Sequence, residues 1–172
     1  MADFQQNLWA PWRMEYIQSL KDAGGDEGCF ICAAVAQPEE DAARLVVDRR
    51  GQTITLLNRF PYSTGHTLIA PLRHAASLED LPEDVLLELM QRTRDVKRVL
   101  ERALAAQGFN IGINLGHCAG AGLPGHLHVH VVPRWNGDVN FMAVLGDVKV
   151  IPQSLDEVRR RYAAAAEALG LA

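Results

Sequence analysis

Residues 126–132 read His126-Leu127-His128-Val129-His130-Val131-Val132, with imidazoles alternating strictly with branched aliphatics. A period of two belongs to an extended strand with one buried face, because a helix would scatter the three rings around its axis. In a strand the imidazoles line one face about 6–7 Å apart, while Leu127, Val129 and Val131 turn towards a core. A lone histidine in such a place is usually the wet side of an edge strand. Three in register behind a glycine-rich loop point to chemistry, and all six histidines of the chain fall between positions 66 and 130.

The remaining pattern says what this strand belongs to. Strand-like runs occur at Leu45–Val47, Thr53–Leu57 and Thr67–Ala70, the last behind the turn-forming stretch Pro61-Tyr62-Ser63-Thr64-Gly65, and they are predicted to pair as antiparallel neighbours. From Pro82, the apolar residues Val85, Leu86, Leu89, Met90, Val96, Val99, Leu100, Ala103 and Leu104 recur at three and four, with Gly108 as a stop signal. Phe109 to Leu115 alternates as a further strand. Ser154 with Glu157 forms a capping-box signature for a helix over Leu155 to Ala168. Strands in series with segregated helices make an α+β fold: about five antiparallel strands, one long amphipathic helix packed on them and an additional C-terminal helix. We read residues 1–172 as a single domain, with an N-terminal arm over 1–22 carrying Trp9, Pro11, Trp12 and Tyr16, and the C-terminal helix within 153–172.

Composition narrows the partners. A net charge of −4 on 172 residues, with 48% hydrophobic and 22% charged residues, excludes collagen-like, disordered and disulfide-scaffold chains. No basic block offers a grip on polymeric nucleic acid, although nucleotides remain open as small ligands. No apolar run approaches the roughly 20 residues of a membrane span, and residues 1–8 lack the basic and apolar segments of a signal peptide. A cytoplasmic location with reduced Cys29, Cys32 and Cys118 is expected.

Two uses compete for the histidine row. A catalytic metal needs three ligands converging on one point, and three residues along a straight strand span too far. Covalent catalysis needs one neutral imidazole that attacks phosphorus while its neighbours set the tautomer and donate to phosphate oxygens. The preceding loop, Asn114-Leu115-Gly116-His117-Cys118-Ala119-Gly120-Ala121-Gly122, lets backbone N–H groups approach an anion.

The segment 126–132 resembles the HφHφHφφ signature (φ apolar) of the histidine triad family of nucleotide hydrolases and transferases. The likeness extends through Leu8-Trp9-Ala10-Pro11-Trp12-Arg13-Met14, Asn58 with Pro61-Tyr62 and Gly65-His66, Asn114-Leu115-Gly116 with Ala119-Gly120-Ala121-Gly122, and Pro133-Arg134-Trp135-Asn136-Gly137-Asp138 with Asn140-Phe141. It is similar to the bacterial branch related to diadenosine tetraphosphate phosphorylases. That resemblance implies a homodimer cleaving an adenine nucleotide or dinucleoside polyphosphate. His128 would be the nucleotidylated nucleophile, His130 would act at the leaving oxygen, and His126 would complete the triad. Asn114 with Gly120, Ala121 and Gly122 would hold phosphates, Asn58 the ribose, and Leu56 would flank the base. A nucleoside phosphoramidase using the same triad and a non-catalytic nucleotide-binding protein are the rival readings.

Cys29-Phe30-Ile31-Cys32 is a CxxC that needs two more ligands to hold zinc, with His66, His74, His117 and His126 as candidates; otherwise the thiols are small buried hydrophobes. The related galactose-1-phosphate uridylyltransferases are similar in pattern here, which selects His74 and His126 for a closed, structural zinc site with Cys29 and Cys32. His66 is expected to fix the turn before its strand.

Overall fold

A computed structural model describes residues 28–138 and 151–171. The expected N-terminal arm and the segment around Asn140-Phe141 lie outside them. Helix α1 (Phe30–Ala36) is followed by strands β1 (Val46–Arg50), β2 (Thr53–Leu57) and β3 (Thr67–Pro71), helix α2 (Glu83–Leu104), strands β4 (Gly108–Ile113) and β5 (Val129–Arg134), and helix α3 (Leu155–Ala168). The five strands form one antiparallel sheet in the order β1-β2-β3-β5-β4. This is the α+β architecture expected from the sequence.

Helix α2 covers the sheet. Val85, Leu89, Val96, Val99, Leu100 and Leu104 form its buried stripe against Ile69, Leu127, Val129 and Val131, so the aliphatic half of the alternating segment faces the core as expected. Met90, which shares the apolar periodicity, instead points outward and is 61% exposed. The helix ends four residues before Gly108, with Ala105 in the left-handed region at φ 51°. On the flank of α2 the buried Arg92 pairs with Asp48 of β1, while Tyr162, Ala165 and Ala166 of α3 pack into the main core. Ser154 caps α3 by accepting from the Glu157 N–H at 3.3 Å.

Several strand boundaries differ from the sequence reading. β1 starts one residue later and continues through Asp48-Arg49-Arg50, whose charges hide an edge strand from any hydrophobic pattern. β4 stops at Ile113 rather than Leu115. β5 begins at Val129, so His126 and His128 precede the ladder, although the Leu127 N–H still donates to Ala75 O at 2.7 Å. Helix α1 was not expected at all.

Gly65 sets the start of β3. It sits at φ 75°, and a Cβ there would lie 2.4 Å from Leu104 Cδ1 in the packed face of α2. Gly65→Ala therefore combines a left-handed backbone with overpacking and should cost about 2–4 kcal/mol of stability, read by urea unfolding.

Candidate active site and metal cluster

The three triad histidines do not act as one row. Tertiary packing turns the fully buried His126 away from its neighbours and towards α1, while His128 and His130 stay together with ring centroids 4.8 Å apart. The single line of imidazoles expected from the strand period is thus divided between two clusters.

In the first cluster, hydrogen bonds with unambiguous donors and acceptors fix every tautomer. His128 Nδ1 lies 2.8 Å from the carbonyl oxygen of His126, which can only accept, so Nδ1 carries the hydrogen and Nε2 the lone pair. Burial pushes the pKa of His128 down, against the opposing effect of that carbonyl, so the ring stays neutral and nucleophilic. Around His66 the logic runs the other way. The Tyr62 backbone N–H donates to His66 Nδ1 at 3.1 Å, and Asn58 Nδ2 lies 3.2 Å from the same atom. The Phe60 N–H donates to Asn58 Oδ1 at 2.9 Å, which identifies Nδ2 as the donor. His66 Nδ1 is therefore an acceptor, Nε2 carries the hydrogen, and it donates to His130 Nδ1 at 2.9 Å. The hydrogen of His130 is left on Nε2. One ring of the pair presents a lone pair at Nε2 and the other an N–H, which is the complement needed for nucleophilic attack beside a donor.

His66, a zinc candidate in the sequence that is expected there to fix the turn before its strand, is instead a member of the histidine cluster. It is 1% exposed and reaches His130 because the antiparallel register pairs Leu68 with His130 and Thr67 with Val131. A polar ring opening a strand that is buried throughout was the available signal, since such a ring needs a partner.

The second cluster joins Cys29, Cys32, His74 and His126, whose ligand atoms all lie within 4.8 Å of one another. His126 Nε2 donates to Pro71 O at 2.9 Å, so its Nδ1 lone pair faces Cys29 Sγ at 3.2 Å and Cys32 Sγ at 3.5 Å. His74 Nδ1 is 3.1 Å from Cys32 Sγ. Metal–sulfur bonds near 2.3 Å and metal–nitrogen bonds near 2.0 Å give tetrahedral edges of about 3.3–3.8 Å; the donor set fits a four-coordinate ion, and the three sulfur–nitrogen contacts lie near those edges. Burial, foremost, and the nearby His74 and His128 lower the His126 pKa to about 4, against the Pro71 hydrogen bond, which keeps the ring neutral for ligation. The His126 carbonyl that holds His128 belongs to the same residue, so the two clusters share one backbone unit.

The other expected residues take varied places. Asn58 and Leu56 line a cleft of about 200 Å³ walled by Phe30, Leu45, Phe60 and Leu68. The Asn58 carboxamide also closes its own turn, through the contacts described above. Asn114 and the loop to Gly122 connect β4 to β5; the Gly120 N–H donates to His117 O at 3.0 Å and the Ala121 N–H to Gly116 O at 3.4 Å. Among the described residues no helix is long and apolar enough to cross a membrane.

Comparison with known proteins matches residues 39–137 to the HIT domain. The chain is 42% identical over 167 residues to the AP-4-A phosphorylase of Mycobacterium tuberculosis, covering 94% of this chain and 84% of that one. It is 39% identical over 82 residues to the asymmetrical bis(5'-nucleosyl)-tetraphosphatase of Schizosaccharomyces pombe, 48% of this chain and 44% of that one. Among solved structures, a zinc-bound histidine triad family protein from Mycobacterium smegmatis superposes with TM-score 0.67 and 27% identity, covering 85% of this chain and 98% of that one.

Proposed function

Because this chain belongs to the HIT domain family, we propose that it cleaves dinucleoside polyphosphates by nucleotidyl transfer through His128, with inorganic phosphate as the final acceptor. The observation that carries this reading is the opposed tautomers of His128 and His130. The likeness to an AP-4-A phosphorylase supports phosphate over water.

The Nε2 lone pair of His128 attacks the α-phosphorus, the bond to the bridging oxygen breaks, and its electron pair leaves with the nucleoside polyphosphate. The Nε2–H of His130 donates to that oxygen as it gains charge. A phosphate oxygen then attacks the same phosphorus, and the P–N pair returns to His128. Phe30, Phe60 and Leu56 hold the base in the cleft, Asn58 faces the ribose, and Asn114 with Gly120, Ala121 and Gly122 holds phosphate oxygens. Zinc fits the Cys29, Cys32, His74 and His126 set as a structural ion; when bound it would tie α1 to the segment that carries the nucleophile, supported by the zinc-bound relative. A second copy would pair along β4, which lies at one end of the sheet and exposes Ile111, with Leu115 exposed just beyond the strand; its sedimentation mass checks the dimer.

Product analysis with diadenosine tetraphosphate tests the assignment. ADP plus ATP formed only when phosphate is present is the expected result. AMP plus ATP without phosphate would make water the acceptor, and cleavage of an adenosine phosphoramidate alone would move the substrate class. The pH profile gives a separate check. Protonated His128 has no lone pair, so kcat/KM should fall on the acid side, and burial places that midpoint below the ordinary 6.5.

A further inference from the structure

Tyr62 stacks over the histidine pair. The phenol ring stacks on His66 with centroids 4.7 Å apart and planes 29° from parallel, and it reaches His130 at 6.2 Å and 24°. His66 and His130 are themselves tilted by 42° and joined by the 2.9 Å hydrogen bond. The backbone N–H of Tyr62 sets which nitrogen of His66 accepts, and any residue other than proline would supply that donor. The ring supplies something else, which is resistance to rotation of His66 out of line with His130 Nδ1. If His66 turns away, His130 loses the donor that keeps its hydrogen on Nε2, and the alternative tautomer puts a lone pair towards the leaving oxygen.

We propose that Tyr62 is a positioning residue whose ring clamps His66 in the plane that keeps the Nε2 hydrogen of His130 available to the leaving group. The proposal rests on the roles given above to His128 and His130, and assigns their geometry to a residue outside the triad. An aromatic stack of this kind biases an aligned ring roughly 2- to 13-fold over a free one, so the ring should be visible in rates without being indispensable.

The test compares Tyr62→Phe and Tyr62→Ala on a series of AMP aryl esters whose leaving phenols run from weakly to strongly acidic. A donor at the leaving oxygen matters most for the poorest leaving group. Tyr62→Ala should lower kcat about tenfold on the phenyl ester and less than about twofold on the dinitrophenyl ester, with KM little changed. Tyr62→Phe, which keeps the stack, should restore most of the loss. Side-chain proton–nitrogen NMR of the ligand-free protein provides a readout independent of turnover: one tautomer for His130 in wild type and Tyr62→Phe, and a mixture in Tyr62→Ala. An equal loss on every ester, a rise in KM alone, a phenylalanine variant as poor as alanine, or an unchanged spectrum would overturn the proposal. Failure of wild type to cleave any ester, with the NMR pattern as expected, would instead count against the proposed function.

Discussion

Replacing His128 with alanine should lower kcat at least about 10⁴-fold, equivalent to about 5.5 kcal/mol of transition-state stabilisation, while leaving nucleotide affinity largely intact. The size follows from the role. In the proposed mechanism His128 supplies the bond-forming lone pair, and its neighbours His66 and His130 are arranged to donate rather than attack. None of them can take over, because the hydrogen of His130 sits on Nε2. The substitution also removes a 6% exposed ring and its hydrogen bond to the His126 carbonyl, so melting of the variant must be read beside its rate. A folded variant with bound nucleotide and no turnover is the expected combination, measured by calorimetric titration and product release. Substantial residual activity would place the nucleophile elsewhere.

The second large effect concerns the four-ligand cluster. With the proposed zinc bound, removing it with a chelator, or abolishing its binding with Cys29→Ala, should lower the melting temperature by about 8–16 °C. An ion held at about 1,000 times its dissociation constant contributes about 4 kcal/mol, and a domain of this size shifts about 2–4 °C per kcal/mol. The cluster joins the start of α1, the residues after β3 and the approach to β5, so its loss unties three chain segments at once. The metal-free protein should in addition become acid-sensitive. Its His126 stays neutral until about pH 4, whereas the unfolded chain takes up a proton near 6.5. Between those values the unfolded state binds more protons, so stability falls as pH drops from 6.5 towards 4, by about 3 kcal/mol. Scanning calorimetry of the chelated protein across that range measures it. A melting temperature indifferent to both chelator and Cys29→Ala would mean that the thiols serve only as buried packing.

What could be read without the structure was governed by periodicity. The strict alternation through Val131 placed its aliphatic residues in the core correctly, and the three- and four-residue spacing located α2 almost to the residue. Side-chain direction was not legible in the same way. The period of two in the sequence puts His126 on the same face as His128, yet it turns to Cys29 because Pro71 O holds its Nε2, a contact between positions 55 residues apart. His66 escaped for a related reason: its reach to His130 depends on the pairing of β3 with β5, and no local pattern reveals which strands become neighbours. Helix α1 is a seven-residue apolar run, too short for a helical period to separate from a strand. The charged end of β1 shows that an edge strand need not look apolar.

The proposed mechanism turns on a covalent bond between His128 Nε2 and the α-phosphorus. Wild-type protein mixed with diadenosine tetraphosphate in the absence of inorganic phosphate, quenched in alkali to preserve a phosphoramidate and analysed by peptide mass spectrometry, tests it directly. One AMP attached at His128, discharged to ADP when phosphate is added before the quench, is the predicted result. Turnover without any adduct on that histidine, or an adduct on His130 or His66 instead, would contradict it.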